Sequence, residues 1–499
     1  MSAQLRSKTI SAVKHLGIGT ALAKVFSLAT TIFLARILSP QEYGTMAIAV
    51  VVIGLIGFFN EVGIGSAIVQ KPKPEQDELN GCFAIALLIS SLLFFVMVVL
   101  SNPIAGFFGA PQLAPMMPLM ASVFILGAFS TVPLAMLRKE MEFKAISGVL
   151  VLSVIVQSLL CLSLAIAGYG VWSLAWGFVA SSLVQSLGAF ILSPWRPKGR
   201  YGIRKATGLV RYGLHVTYSR IFWYLYSNVD KVVVGRILGE RSLGIYDMAF
   251  GLATLPSSQI TSLVTNISSP LFAKLQDDMT KMAATMLGLT RSVAYLTYPA
   301  LIGMLVCSRE LVAVFLGEKW MDMLVPFSAL CLMGLFKSVD PLLSQLLIGT
   351  GHAKKLSVYT AMCGIVMSLA ITTGAFLNGL LGVSIVWAAV YPVLSAKLIH
   401  DACMITGIRM RDYYRNLLPV LMGAAAMGLL VTLVREAIID HVRSLGLVLF
   451  IEVASGVIAY ACWIICLDRR GLNEIREILR DAGIPVERLN RWPFARKPT

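Results

Sequence analysis

Five basic residues, Lys24, Arg220, Lys231, Lys337 and Lys397, lie inside long apolar stretches of this chain, as do Asp230 and Asp340, and Glu61 stands near the end of another such stretch. Their spacing is helical. At 100° per residue, Thr20, Lys24, Ser27 and Thr31 share one face, and Arg220, Tyr224, Ser227 and Lys231 share another. Lys337, Asp340 and Ser344 follow at i, i+3 and i+7, while Trp223 and Asp230 stand about a quarter-turn from the second stripe. This chemistry is recognition rather than catalysis. Fixed cations suit phosphate oxygens, and amphipathic rings such as Tyr218, Trp223, Tyr224 and Tyr226 suit the faces of sugars. A carboxyl held among cations can gain and lose a proton. Lys24, Arg220, Tyr224, Ser227, Lys231 and Lys337 are therefore the candidate binding residues for a large, anionic, carbohydrate-like substrate. Glu61, Asp230 and Asp340 are the candidate coupling residues, for a proton or sodium gradient. No catalytic, cofactor or metal site is expected.

The competing reading is that these charges pair among themselves and lock the helices together; Asp230 beside Lys231 and Asp340 near Lys337 permit it. Three points favour a polar path. A charge at mid-membrane costs ~3 kcal/mol or more, so an unneeded one is unexpected. Lys24, Arg220 and Lys231 have no matching excess of acids, and the aromatic residues crowd the same helix.

The elements that position these residues are membrane spans. Hydrophobic residues make up 57% of 499 and the mean hydropathy is +0.79, more apolar surface than a soluble fold can cover. A spanning helix needs ~20 apolar residues. Spans are expected near 16–36, 46–68, 81–101, 116–136, 146–168, 171–193, 212–235, 243–268, 292–308, 323–350, 356–377, 380–403, 416–434 and 444–466, each to within about four residues. A membrane barrel would instead show ~10-residue alternating segments, whereas Phe83–Leu100 is continuous. The fold class expected is all-α and polytopic, with about fourteen transmembrane helices. The net charge of +16 is explained by orientation. Alternate loops from the N-terminus carry 30 of the 42 Lys and Arg and the other set carries 7, so the first set, with both termini, is cytoplasmic.

The chain also echoes itself. Arg36-Ile-Leu38 with Gly44 and Ala49 recurs 200 residues later as Arg236-Ile-Leu238 with Gly244 and Ala249, and Gly127–Leu134 resembles Gly334–Leu342. Span 1 thus maps to span 7 and span 4 to span 10, a six-helix unit used twice with two spans appended. Sites in parallel-repeat transporters lie between the halves. The domains follow: a first lobe over 1–193, a basic linker over 194–211, a second lobe over 212–404, two further spans over 405–466, and an amphipathic tail over 467–499 on which Leu472, Ile475 and Leu479 share a face. Glu61 has an interfacial reading beside the coupling one. His215 reads as a helix-end residue, His400-Asp401 as juxtamembrane, and the eight cysteines as small buried hydrophobes.

Leu34–Gly44, Val62–Lys71, Leu137–Phe143, Phe272–Asp278 and Phe315–Trp320 carry a family likeness. Over about residues 5 to 420 the chain resembles the polysaccharide transporter family of the MOP exporter superfamily, in particular the Wzx-type, colanic-acid-exporter-like flippases of lipid-linked oligosaccharides. The resemblance implies two six-helix lobes in a V around a central cavity with cations in its lumen. It implies export of undecaprenyl-diphosphate-linked repeat units across the bacterial inner membrane for exopolysaccharide, capsule or O-antigen assembly. The expected partners are that substrate, the bilayer, a polymerase and other polysaccharide-assembly proteins, with no nucleic acid. The chain has no GxxxxGK[ST] loop to bind ATP. The rivals are a cation-coupled drug exporter of the same superfamily, for which twelve spans are expected; a membrane glycosyltransferase or polymerase, which calls for a larger external or soluble part; and a scaffold, which leaves the mid-span cations unexplained.

Overall fold

The computed structural model describes the backbone of residues 3–61, 63–199 and 202–466, and their side chains except at 3–18, 61, 203–223, 225, 226, 262, 263, 266 and 267. Among these residues every regular element is helical: α1 (Ala3–Ile37), α2 (Pro40–Glu61), α3 (Ile64–Gln70), α4 (Gln76–Phe108), α5 (Leu113–Lys139), α6 (Phe143–Ile166), α7 (Val171–Leu192), α8 (Ile203–Lys274), α9 (Met279–Val306), α10 (Ser308–Leu311), α11 (Leu324–Lys337), α12 (Asp340–Gly349), α13 (Ala353–Thr406), α14 (Met410–Ile438) and α15 (Leu445–Cys466). Among the described residues, eleven helical stretches are long and apolar enough to span a membrane. Two helices are double. α8 breaks at Gly239 (φ 82°, ψ 177°), and α13, counted once among the eleven, breaks at Asn378-Gly379. Gly379 has φ 57° and ψ −138°, a conformation that only glycine adopts readily. These breaks are consistent with the expected fourteen spans.

The helices obey the bilayer's demand that backbone groups be satisfied internally. α2 opens with a capping box, in which the Ser39 amide donates to Glu42 Oε2 at 2.6 Å and the Glu42 amide to Ser39 Oγ at 3.3 Å. Serine and threonine hydroxyls turn back to carbonyls one turn earlier, as Thr30 does to Phe26 and Thr372 to Ser368. Large apolar side chains such as Val99, Ile166, Leu377 and Phe450 face outward, as lipid-facing positions do. Cys462 and Cys466 do so too, so these two cysteines are exposed while the other six are buried. The external loop expected around Asn102–Pro115 is shorter in the structure, because α4 continues through Pro103 to Phe108.

The described residues form two compact units, Met1–Asp247 with Phe315–Trp320, and Met248–Val314 with Met321–Thr499. In the first, α5 packs on α4 and α7, and α6 on α1 and α7. The stretch after α7 is strapped to the start of α4. Trp195 is buried against Phe83, with ring centroids 5.6 Å apart, Gln76 Nε2 donates to the Arg196 carbonyl at 2.7 Å, and the Gly202 amide donates to the Asp77 carbonyl at 3.0 Å. In the second unit α9 packs on α11 and α14, α14 on α15, and α13 on α11 and α12.

The duplicated residues meet inside the first unit. A Cβ on Gly44 would strike the carbonyl of Glu240 and the nitrogen of Gly244. A Cβ on Gly244 would strike the carbonyl of Pro40 and the nitrogen of Gly44. Positions 40 and 240 are themselves 200 apart, so the crossing is reciprocal, as a two-fold contact must be. The Glu240 carboxylate fastens it, accepting from Thr45 Oγ1 at 2.7 Å and Gln41 Nε2 at 3.0 Å. The Gly239 break falls 200 residues after Ser39, which separates α1 from α2.

Candidate functional site

The first unit holds the stripe on the N-terminal half of α8. Tyr224 crosses to α2, where its hydroxyl donates to the Val51 carbonyl at 3.0 Å and its ring meets Phe58 edge-on at 5.1 Å. Gly54 makes room for it; a Cβ there would overlap the hydroxyl. Ser227, one turn on, is half-buried. Asp230 is 2% exposed and accepts the Tyr246 hydroxyl at 2.6 Å. Lys231 does not use the adjacent Asp230 as its close ion-pair partner: its Nζ lies 2.6 Å from Asp247 Oδ1, with both side chains partly exposed. The Gly239 break makes this geometry. It folds α8 back on itself, and the neighbours 230 and 231 meet the neighbours 246 and 247. Lys24 stands exposed on α1. The side chains of Arg220, Trp223, Tyr218, Tyr226 and Glu61 lie outside the described residues, as do His215 and the tail over 467–499.

The second unit holds Lys337 and Asp340. α11 ends at Lys337 and α12 begins at Asp340, with Pro341 in its first turn. The Lys337 ammonium sits over two rings, 4.7 Å from the centroid of Phe250 and 5.3 Å from that of Trp387. Cation–π contacts of this kind hold a charge where water is scarce. Asp340 is buried and accepts the Tyr391 hydroxyl at 2.8 Å and the Ser395 hydroxyl at 2.6 Å, both from α13. Ser344 turns back to the Asp340 carbonyl at 3.0 Å. The remaining mid-span cation, Lys397, pairs with Asp401 one turn on, and that acid is buried.

The structure thus brings Tyr224, Ser227, Asp230 and Lys231 together on one stretch of α8, and Lys337 and Asp340 together at the α11–α12 junction. Asp247, Tyr246, Trp387, Phe250, Tyr391 and Ser395 were not singled out from sequence. For Asp247 a signal existed: once Gly239 is read as a turn, 230/231 and 246/247 become facing pairs. For Tyr391 and Ser395 there was none, because only packing brings α13 to Asp340.

A family model described as polysaccharide biosynthesis protein matches residues 33–325. The chain is 26% identical over 440 residues to the lipopolysaccharide biosynthesis protein WzxC of Escherichia coli (strain K12), covering 85% of this chain and 88% of that one. It is 24% identical over 457 residues to the succinoglycan biosynthesis transport protein ExoT of Rhizobium meliloti (strain 1021), covering 90% and 91%. Among solved structures, the lipid II flippase MurJ in an inward closed conformation superposes with a TM-score of 0.73 at 14% identity, over 94% of this chain and 99% of that one. An inward-facing multidrug resistance MATE family transporter of the MOP superfamily superposes with a TM-score of 0.60 at 17% identity, over 81% and 99%. At these identities the two structures show a shared fold.

Proposed function

This chain belongs to the polysaccharide biosynthesis protein family, and from that premise we propose that it is a flippase for lipid-linked oligosaccharides. It moves undecaprenyl-diphosphate-linked repeat units from the cytoplasmic to the periplasmic leaflet of the inner membrane by alternating access, for exopolysaccharide, capsule or O-antigen assembly. The observation that carries this reading is the near end-to-end relationship to proteins named for polysaccharide biosynthesis and its transport, over 85% and 90% of the chain. In this reading the chain is a transporter rather than an enzyme. Its lobes are 1–193 and 212–404, and both termini are cytoplasmic.

The binding residues are Lys24, Arg220, Tyr224, Ser227, Lys231 and Lys337, with the cations on the diphosphate and on acidic sugars. The partial exposure of the Lys231–Asp247 pair supports this, since a phosphate group can compete for the ammonium without breaking a sealed core. Asp230, Asp340 and Glu61 are the coupling acids. The burial of Asp230 beside Tyr246 and of Asp340 beside Tyr391 and Ser395 supports this role, since a carboxyl shielded from bulk water can hold a coupling proton or sodium ion. A polymerase and other assembly proteins receive the product.

The test is deletion of the gene, followed by measurement of surface polysaccharide and of the lipid-linked intermediate on each leaflet. Loss of the polymer with intermediate accumulating on the cytoplasmic leaflet is expected. Normal polymer with a lost drug resistance would instead favour a small-molecule exporter. Loss of the intermediate itself would favour a glycosyltransferase, and its accumulation on the periplasmic leaflet a polymerase. On the restored gene, Arg220→Lys is expected to keep part of the export and Arg220→Ala to lose most of it, both at normal membrane levels. Full export by Arg220→Ala would remove the phosphate-binding role.

A further inference from the structure

A second group of buried charges lies in the second unit, away from Lys337 and Asp340. Glu310 on α10 is 1% exposed and Glu452 on α15 is 0% exposed. Between them reaches Arg435, in the last turn of α14. Its Nη2 lies 2.9 Å from Glu310 Oε1, whereas its Nε lies 3.7 Å from Glu452 Oε1, beyond hydrogen-bond range. The carboxylate oxygens of Glu310 and of Glu452 are all buried with no hydrogen-bond partner among the described residues, so the 2.9 Å contact of Arg435 with Glu310 is an ion pair. Glu452 also lines a cavity of about 590 Å³ whose walls are otherwise almost wholly apolar, among them Pro299, Met304, Val431, Val453 and Gly456.

The charge does not balance if both acids are ionised. Two carboxylates against one guanidinium leave a net negative charge with no hydrogen bond on either member among the described residues, in surroundings where an unpaired charge is costly. Among the described residues that line the cavity with Glu452, none supplies the missing positive charge. The Cys307 thiol beside Glu452 carries none. Tyr295 and Tyr460 line the same cavity, and the Tyr460 hydroxyl donates to the Tyr295 carbonyl at 3.2 Å. α11 packs on α10 and has no charged residue between Leu324 and Phe336. One proton on either carboxyl balances the site.

We propose that Glu310 and Glu452 together hold one proton over Arg435, making a proton-binding site between α10, the last turn of α14 and the N-terminal half of α15. The proton adds from water to one carboxylate oxygen, and the pair then carries a single negative charge that Arg435 neutralises. Release returns the proton to water and leaves two carboxylates against one guanidinium. The route is short, because the Arg435 side chain is 24% exposed and the polar turn Asp440–Ser444 follows its helix. That this proton takes part in transport rests on the flippase reading; that it is bound does not.

The full-length protein in lipid is examined by infrared spectroscopy as the pH is raised. The expected result is a carboxylic C=O stretch at neutral pH that bleaches reversibly as the proton leaves. The amplitude of one carboxyl should be missing from Glu310→Gln and also from Glu452→Gln, because the acid that remains forms a neutral pair with Arg435. Three results would overturn the proposal: wild-type protein with no such band, a band of undiminished amplitude in both variants, or a loss of amplitude confined to one variant. The wild-type titration needs no variant to fold, and none of these readouts depends on export.

Discussion

At the residue scale, the mid-span charges have more than one kind of partner, and the partner decides what a substitution does. Lys231 is paired with Asp247, so removing the ammonium breaks a pair as well as a binding contact. The charge swap Lys231→Asp with Asp247→Lys separates the two roles. The swap is expected to restore membrane levels lost in Lys231→Asp alone, while export stays about tenfold down, a difference of about 1.4 kcal/mol. Full export by the swapped protein would show that the pair only locks α8. Asp230→Asn keeps an acceptor for the Tyr246 hydroxyl, so folding should hold and substrate binding should survive. Export should fall if the acid carries the coupling proton, and unchanged export would remove that role. Asp340 differs because it accepts two hydroxyls. Asn presents one acceptor and one amide, which leaves either Tyr391 or Ser395 facing a donor, at a cost of ~1–3 kcal/mol. The melting temperature of Asp340→Asn in detergent should therefore drop.

At the element scale, the reciprocal glycine crossing sets how close α2 and α8 can come. Small residues at a helix crossing let backbones touch, which substitutes for the hydrophobic effect that lipid removes. Gly44→Ala and Gly244→Ala each place a Cβ on backbone atoms that cannot rotate away. Each is expected to cost ~1–3 kcal/mol by overpacking and to lower the melting temperature. Gly251 on the same α8 has open space around its Cβ position, so Gly251→Ala is the matched control and should be neutral or slightly stabilising. Equal melting temperatures for all three variants would show that the crossing does not limit stability.

At the scale of the whole molecule, the arrangement of basic residues sets the orientation. Reporter fusions in the loop after Phe108 and at the Asn378-Gly379 break are expected to read periplasmic, and a fusion after Lys355 cytoplasmic. The basis is the division of 30 basic residues against 7 between alternate loops. Opposite readings at two of the three would overturn the map.

The apolar runs determined by themselves that the chain is a bundle of membrane helices, because the bilayer leaves a continuous apolar segment no other spanning structure than a helix. The 200-residue echo raised the expectation that a unit is used twice, and two residues at that offset, Gly44 and Gly244, meet in the structure. The stripe on α8 was readable because helical periodicity places side chains on a face. It did not say what the face meets. That Lys231 pairs with Asp247 rather than Asp230 depends on the turn at Gly239. That Asp340 is held by Tyr391 and Ser395 depends on α13 packing on α12. The Glu310–Arg435–Glu452 group was not read from the sequence: its members lie 125 and 17 residues apart on three helices, and although Glu452 falls inside the span expected at 444–466, nothing in its spacing names its partners. Only tertiary packing buries the two acids beside Arg435, because the free energy of a buried charge depends on its neighbours in space and local spacing carries no information about them.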